Sequence, residues 1–167
     1  HGAVTLRQAE TYLVATTVLL AALFSAAQFY SVFGWGVLLL GNLRILQILS
    51  LNLITLFFDY TPSQGVPAIQ RARWHFVALV FSLLDTLLVF AFMYQFFNQR
   101  FSILNAHSLN FLDYFYYSLV TLATVGYGDI HPVTVLGRCL ASYQVIVSLF
   151  LIVFLVSGVI GRFQRQA

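Results

Sequence analysis

Residues 121–129 read Thr-Leu-Ala-Thr-Val-Gly-Tyr-Gly-Asp. Gly126 and Gly128 have access to backbone angles that other residues avoid. Two glycines one residue apart let consecutive carbonyls point the same way. A row of such oxygens, repeated around a symmetry axis, replaces the water shell of a cation. The chemistry implied is desolvation and coordination of an ion, not the making of bonds. The rest of the chain offers no rival. No group of His, Cys and carboxylate residues has metal-ligand spacing, and neither a Ser-His-Asp arrangement nor a phosphate-binding glycine loop is apparent. No enzyme activity and no organic cofactor are expected.

Irregular backbone of this kind survives at membrane depth only where protein buries it or water lines it. Helices must therefore hold it. Residues 111–123 are apolar and aromatic and match a re-entrant half-helix in length, with Ser108 or Asn110 as cap and Asp113 in the first turn. The C-terminus of such a helix carries partial negative charge and favours a cation beyond it. Pro132 then breaks the backbone ahead of another long apolar run. The composition demands a membrane. Only 8% of residues are charged and 60% are hydrophobic, against about a quarter charged in soluble domains. That excludes a water-coated globule and a disordered chain. Long unbroken apolar runs exclude a barrel of alternating strands.

The expected fold is all-α and transmembrane, with four membrane-spanning helices plus one re-entrant pore helix and loop. The expected spans are 11–33, 35–58, 74–97 and 133–163, each near the roughly 20 residues that cross hydrocarbon. A tight turn at Gly34-Trp35-Gly36 is expected between the first two. Residues 1–60 then form a peripheral helix pair. Residues 61–73, with Pro62, Gly65 and Pro67, form a cytoplasmic linker, and 74–163 form the pore unit. The first run lacks a small-residue cleavage site, so it reads as a span and not as a signal peptide. Every basic residue other than histidine is an arginine, and the arginines are scattered, which argues against nucleic acid. With both termini cytoplasmic, Arg7, Arg71, Arg73, Arg162 and Arg165 lie inside, and Arg100 and Arg138 outside, as the positive-inside rule requires. The expected location is the plasma membrane. Cys139 is the single cysteine, so an intrachain disulfide is impossible.

Thr124, Val125, Gly126, Tyr127 and Gly128, followed by Asp129, match the established signature of potassium filters. Half-helix, filter and long helix also come in the order that signature needs. Over about residues 74–163 the chain resembles the pore-loop potassium channel family; the first helical pair lies outside the resemblance. The resemblance implies that carbonyls of Thr124, Val125, Gly126 and Tyr127 bind K+, Gly128 closing the string and the Thr124 hydroxyl forming the innermost site. It implies that the Tyr127 side chain points away from the pore. Tyr116 and Tyr117 stand where many relatives have tryptophans, and with Thr121 and Asp129 they form the filter support. Tyr117 is the expected partner of Asp129. Val120 stands where some relatives carry a glutamate behind the filter. Ser148 stands where many relatives have a hinge glycine, with Gly158 and Gly161 further on. Ser148 and Ser157 are candidate cavity liners, and Phe150 and Phe154 candidates for a hydrophobic gate. One filter strand per chain implies a homotetramer in membrane lipid. The alternatives are a non-selective cation channel, a non-conducting scaffold or accessory subunit, and a transporter subunit.

Outside the pore, Arg44 lies about 13 Å into the second span, counted from Trp35 at 1.5 Å per residue. A charge at that depth costs several kcal/mol unless paired. Asp85 lies about as deep in the third span, so an Arg44–Asp85 ion pair is expected to tie the peripheral helices to the pore; a snorkelling Arg44 is the alternative. Arg44, Gln47 and Ser50 are three apart, but one arginine moves too little charge for steep voltage gating. His75 beside Trp74 reads as an interfacial anchor. His107 and His131 flank the pore loop on the expected outer side, as candidate modulators of conduction from outside or as solvated loop histidines.

Overall fold

The computed structural model describes residues 31–58, 68–106 and 108–163, with isolated helical positions at 15, 18, 19 and 22. Among the described residues there are four helices and no strands: α1 (Ser31–Phe58), α2 (Ala68–Phe101), α3 (Phe111–Leu122) and α4 (Val135–Phe163). Phe76–Phe101 and Val135–Phe154 are long and apolar enough to cross a membrane, and Gly34–Ser50 is a shorter apolar helical stretch. Most of the expected first span lies outside the described residues.

The expected turn at Gly34-Trp35-Gly36 is not there. α1 runs unbroken from Ser31 through both glycines. A glycine in a helix costs about 1 kcal/mol relative to alanine, and here packing outweighs that. A Cβ at Gly34 would collide with the Phe96 ring, and one at Gly41 would sit 3.0 Å from Val89 Cγ1. Seven residues apart, the two glycines share one helix face, and they let α1 lie close against α2 as small residues do in membranes. Trp35 covers the end of this contact, its ring edge-on to Phe96 at 5.0 Å.

α2 begins at Ala68, so the last six residues of the expected linker are helical. It continues to Phe101, four residues beyond the expected end. Ser102, at φ 46°, stops it, its N–H donating to the Asn98 carbonyl at 2.9 Å in a left-handed C-terminal cap. α4 starts two residues later than expected. Thr134 Oγ1 accepts the Gly137 N–H and caps it, while Val133 N–H donates to the Ile103 carbonyl and Pro132 bridges Leu104.

α1 and α4 each bury one stripe and leave the opposite face free, whereas α2 is buried on nearly every side from Asp85 to Asn98. On α4 the buried positions among the described side chains, Gly137, Leu140, Gln144, Val147, Ser148, Leu151 and Phe154, fall on one stripe of the helix. Leu140, Val147 and Leu151 share one hydrophobic core with Phe90 and Tyr94 of α2, Tyr114 and Tyr117 of α3, and Ile45 of α1. The opposite face of α4, with Ile146, Leu149, Phe150 and Val153, is exposed on the isolated chain.

Candidate functional site

α3 aims its C-terminus at the glycine-containing segment. Of the two candidate caps the structure uses Asn110: its Oδ1 accepts the Asp113 N–H at 3.1 Å, and Asp113 Oδ2 accepts the Asn110 N–H at 2.8 Å. This reciprocal capping box starts the helix in a defined register. At the other end the chain folds back on the last turn. Ala123 N–H donates to the Leu119 carbonyl, Thr124 N–H to Thr121, and Val125 N–H to Val120 at 3.0 Å. The main-chain oxygen of Val120 thus anchors Val125 at the start of the glycine-containing segment.

Beyond that anchor the backbone alternates in hand. Thr124, Gly126 and Gly128 have φ of 56°, 59° and 81°, whereas Val125 and Tyr127 keep negative φ. Alternation at every second residue turns successive peptide groups to the same side, the arrangement that lines up carbonyl oxygens. Glycine takes positive φ freely. For a β-branched threonine it is an outlier that stores about 1–3 kcal/mol. The segment therefore holds a strained backbone of alternating hand. It is also uncovered within one chain: Val125 is 51% and Tyr127 71% exposed.

The far end of the segment is braced to its own chain. Asp129 does not pair with Tyr117, as the sequence suggested. Its Oδ2 accepts the Tyr116 hydroxyl at 2.8 Å. Successive helix residues differ by about 100° around the axis, and Tyr117 is turned into the core, its ring edge-on to Tyr94 at 4.7 Å. Asn105 closes the other side. Its Nδ2 donates to the Asp129 carbonyl at 2.8 Å and its Oδ1 accepts the His131 N–H at 3.0 Å. His131 Nδ1 lies 3.1 Å from the Gly128 carbonyl. Asn98 holds this loop to α2, accepting the Leu104 N–H and donating to the Ala106 carbonyl and the Tyr114 hydroxyl. Asn98 is readable as a polar residue closing an apolar span; nothing in the sequence singles out Asn105. His107 lies outside the described residues, as does the side chain of His75.

The Tyr116 hydrogen bond holds the Asp129 carboxyl below the usual carboxylate range. A depressed value means the brace is present at neutral pH and is lost only as pH falls through that lowered value. Tyr116→Phe is expected to return the Asp129 titration upward, toward an ordinary aspartate near pH 4. A carbon-13 titration of the labelled carboxyl checks this; equal midpoints in both proteins would mean the hydroxyl contributes nothing.

Away from the loop, Arg44 and Asp85 meet. Arg44 Nε and Nη2 both donate to Asp85 Oδ2 at 3.2 Å, and Arg44 Nη1 donates to Gln47 Oε1 at 2.9 Å. Both side chains are buried, at 8% and 1% exposure. Arg44 therefore does not snorkel. A second link joins α1 to α4, from the Tyr143 hydroxyl to Asn42 Oδ1 at 3.2 Å.

The residues singled out on α4 separate. Ser148 and Phe154 face the chain's own core and Phe150 faces out. Ser148 is thus no cavity liner, because its side chain lies on the stripe packed against the other helices. Phe150 and Phe154 still stack on each other, with centroids 6.4 Å apart. The helix is continuous through Ser148 and Gly158, so neither marks a break.

Comparison with known proteins agrees with this geometry. The family model described as an ion channel matches residues 76–165, more than half of the chain. The chain is 33% identical over 98 residues to two-pore potassium channel 4 of Arabidopsis thaliana, covering 58% of this chain and 34% of that protein. It is 38% identical over 56 residues to a hyperpolarization-activated voltage-gated potassium channel of Methanocaldococcus jannaschii, covering 34% of this chain and 23% of that protein. It is 50% identical over 34 residues to potassium channel K2 of Plasmodium berghei, covering 20% of this chain and 2% of that protein. The chain thus spans about a third or less of these relatives. No solved structure matches it significantly. A capped half-helix aimed at a segment of alternating hand, set between two apolar helices, is the arrangement that this matched region encodes, and the chain belongs to the ion-channel family, among the pore-loop potassium channels.

Proposed function

We propose that four copies of this chain surround one axis and conduct K+ passively and selectively across a membrane. The observation that carries this reading is the backbone of residues 124–128, alternating in hand at Thr124, Gly126 and Gly128. A strained segment with Val125 and Tyr127 exposed is complete only when neighbouring copies cover it. In the assembly, carbonyls of Thr124, Val125, Gly126 and Tyr127 replace the water shell of K+. Ions advance by mutual repulsion between adjacent sites. The negative end of α3 favours a cation below the filter. The face of α4 left free by the chain, with Leu149 and Phe150, lines the inner cavity or meets the next copy. The helices before the pore unit bring the spans to four, with both termini cytoplasmic and the chain in the plasma membrane. The names of the relatives, each a potassium channel, support K+ as the cargo.

The test is reversal potential in planar bilayers with potassium on one side and sodium on the other. Reversal near the potassium equilibrium value is the expected result. Current that reverses near zero would identify a non-selective cation channel. Absence of current at every voltage, from tetramers of verified size, would favour a scaffold.

A further inference from the structure

α4 carries a carboxamide in the middle of its apolar stripe. Gln144 is fully buried. Such a group is costly in a membrane helix unless each polar atom has a partner, and here each does. Nε2 donates to the Ser118 carbonyl at 2.8 Å and to Ser118 Oγ at 2.9 Å. Oε1 accepts the Tyr94 hydroxyl at 2.7 Å. Ser118 Oγ donates onward to the Leu87 carbonyl at 3.1 Å. Tyr94 and Ser118 are as buried as Gln144. Turning the amide over would set its oxygen against the Ser118 carbonyl, acceptor against acceptor, so its orientation is fixed too. Three helices, α2, α3 and α4, thus meet at one side chain.

The place of this junction gives it a role. Ser118 immediately precedes Leu119, Val120 and Thr121, the residues whose carbonyls anchor the N–H groups of Ala123, Val125 and Thr124. A displacement of α3 at Ser118 therefore moves the base on which the filter stands. The surrounding apolar contacts are non-directional and tolerate a small rotation of α4. The Gln144 fork does not, because hydrogen bonds weaken steeply with angle. We propose that Gln144 is a positioning residue that ties the rotational setting of α4 to the filter through Ser118, with Tyr94 holding its amide in register. This rests on the conduction reading above.

The experiment compares K+ to Na+ permeability ratios for the full chain in bilayers, in Gln144→Met, Tyr94→Phe and Val147→Ala. Methionine matches glutamine in length and removes every polar atom of the fork. Its ratio is expected to fall roughly tenfold, a change of about 1.4 kcal/mol in the discrimination between the two ions. Tyr94→Phe keeps the ring and is expected to fall by a smaller factor in the same direction. Val147 is buried on the same helix and lies outside the fork. Val147→Ala should lower thermal stability and leave the ratio alone. If Gln144→Met does not assemble, Tyr94→Phe carries the test by itself. An unchanged ratio in the fork variants, or an equal fall in Val147→Ala, overturns the assignment while wild-type selectivity stands. Wild-type protein without potassium current overturns the conduction reading and this assignment with it.

Discussion

Gly126→Ala is expected to abolish potassium current while leaving the chain folded. The argument rests on two facts about one residue. Gly126 has φ +59°, and a Cβ placed on it meets nothing within 4 Å. Substitution is therefore opposed by conformation and not by collision. An L-residue in the left-handed region costs about 1–2 kcal/mol, and in the proposed assembly four subunits bear it at one ring, about 4–8 kcal/mol together. Each 1.4 kcal/mol is a factor of ten, so the conducting arrangement is depopulated by about three decades or more. The chain relieves the strain by rotating the peptide group, which takes its oxygen out of the row. Thr124 already stores strain of this kind two residues earlier, so the segment has little tolerance left.

Gly36 supplies the control. It too has open space around a built Cβ, but it sits in α1 with ordinary helical φ. Gly36→Ala should stabilise the helix by up to about 1 kcal/mol and leave current intact. Flux assays on liposomes containing the two variants, with assembly checked by size, separate conformation from bulk. Comparable potassium flux through Gly126→Ala and wild type would show that the left-handed geometry at this position is dispensable.

Much of the pore unit was legible in the residues. The Thr124–Gly128 string, the half-helix before it and the break at Pro132 each follow from local chemistry, and α3 and α4 lie within two residues of their expected bounds. What escaped the sequence was tertiary. Gly34 and Gly36 read as a turn because glycine is ambiguous between a bend and a close approach, and only the Phe96 ring opposite Gly34 decides it. Tyr116 and Tyr117 are adjacent, identical and aromatic. Which one reaches Asp129 depends on the rotation of α3 against α2, which no local pattern encodes. α4 is apolar all round, so its buried stripe was unreadable, and Ser148 looked like a liner until packing turned it inward. Gln144 was the overlooked signal, since a carboxamide in an apolar run needs partners. Arg44 and Asp85 were found by that same rule, one lone charge of each sign at similar depth.

That pair sets the second large effect. Asp85→Asn is expected to destabilise the chain by about 3–5 kcal/mol, the range for removing one partner of a buried ion pair. Asparagine keeps the shape and can still accept one hydrogen bond, so the lost bond itself is worth only about 1 kcal/mol. The remainder comes from Arg44, 8% exposed, whose charge loses its carboxylate in an apolar setting while Gln47 Oε1 still accepts from it. Guanidinium does not shed its proton to escape. The destabilisation should appear at the α1–α2 contact, because Arg44 and Asp85 join those two helices. Arg44→Met combined with Asp85→Leu removes both charges and both desolvation costs, and should recover most of the loss. The cycle of wild type, both single variants and the double variant, followed by denaturant unfolding in detergent and by current in bilayers, isolates the coupling. A large coupling energy with selectivity intact in the double variant means the pair fastens α1 to the pore unit and takes no part in choosing the ion. A pair that merely decorates the interface predicts an Asp85→Asn protein as stable as wild type, and that result would remove the fastening role. Selectivity lost in the rescued double variant would instead move the pair into the conduction machinery, since only a direct electrostatic role distinguishes a neutral pair from a charged one once packing is restored.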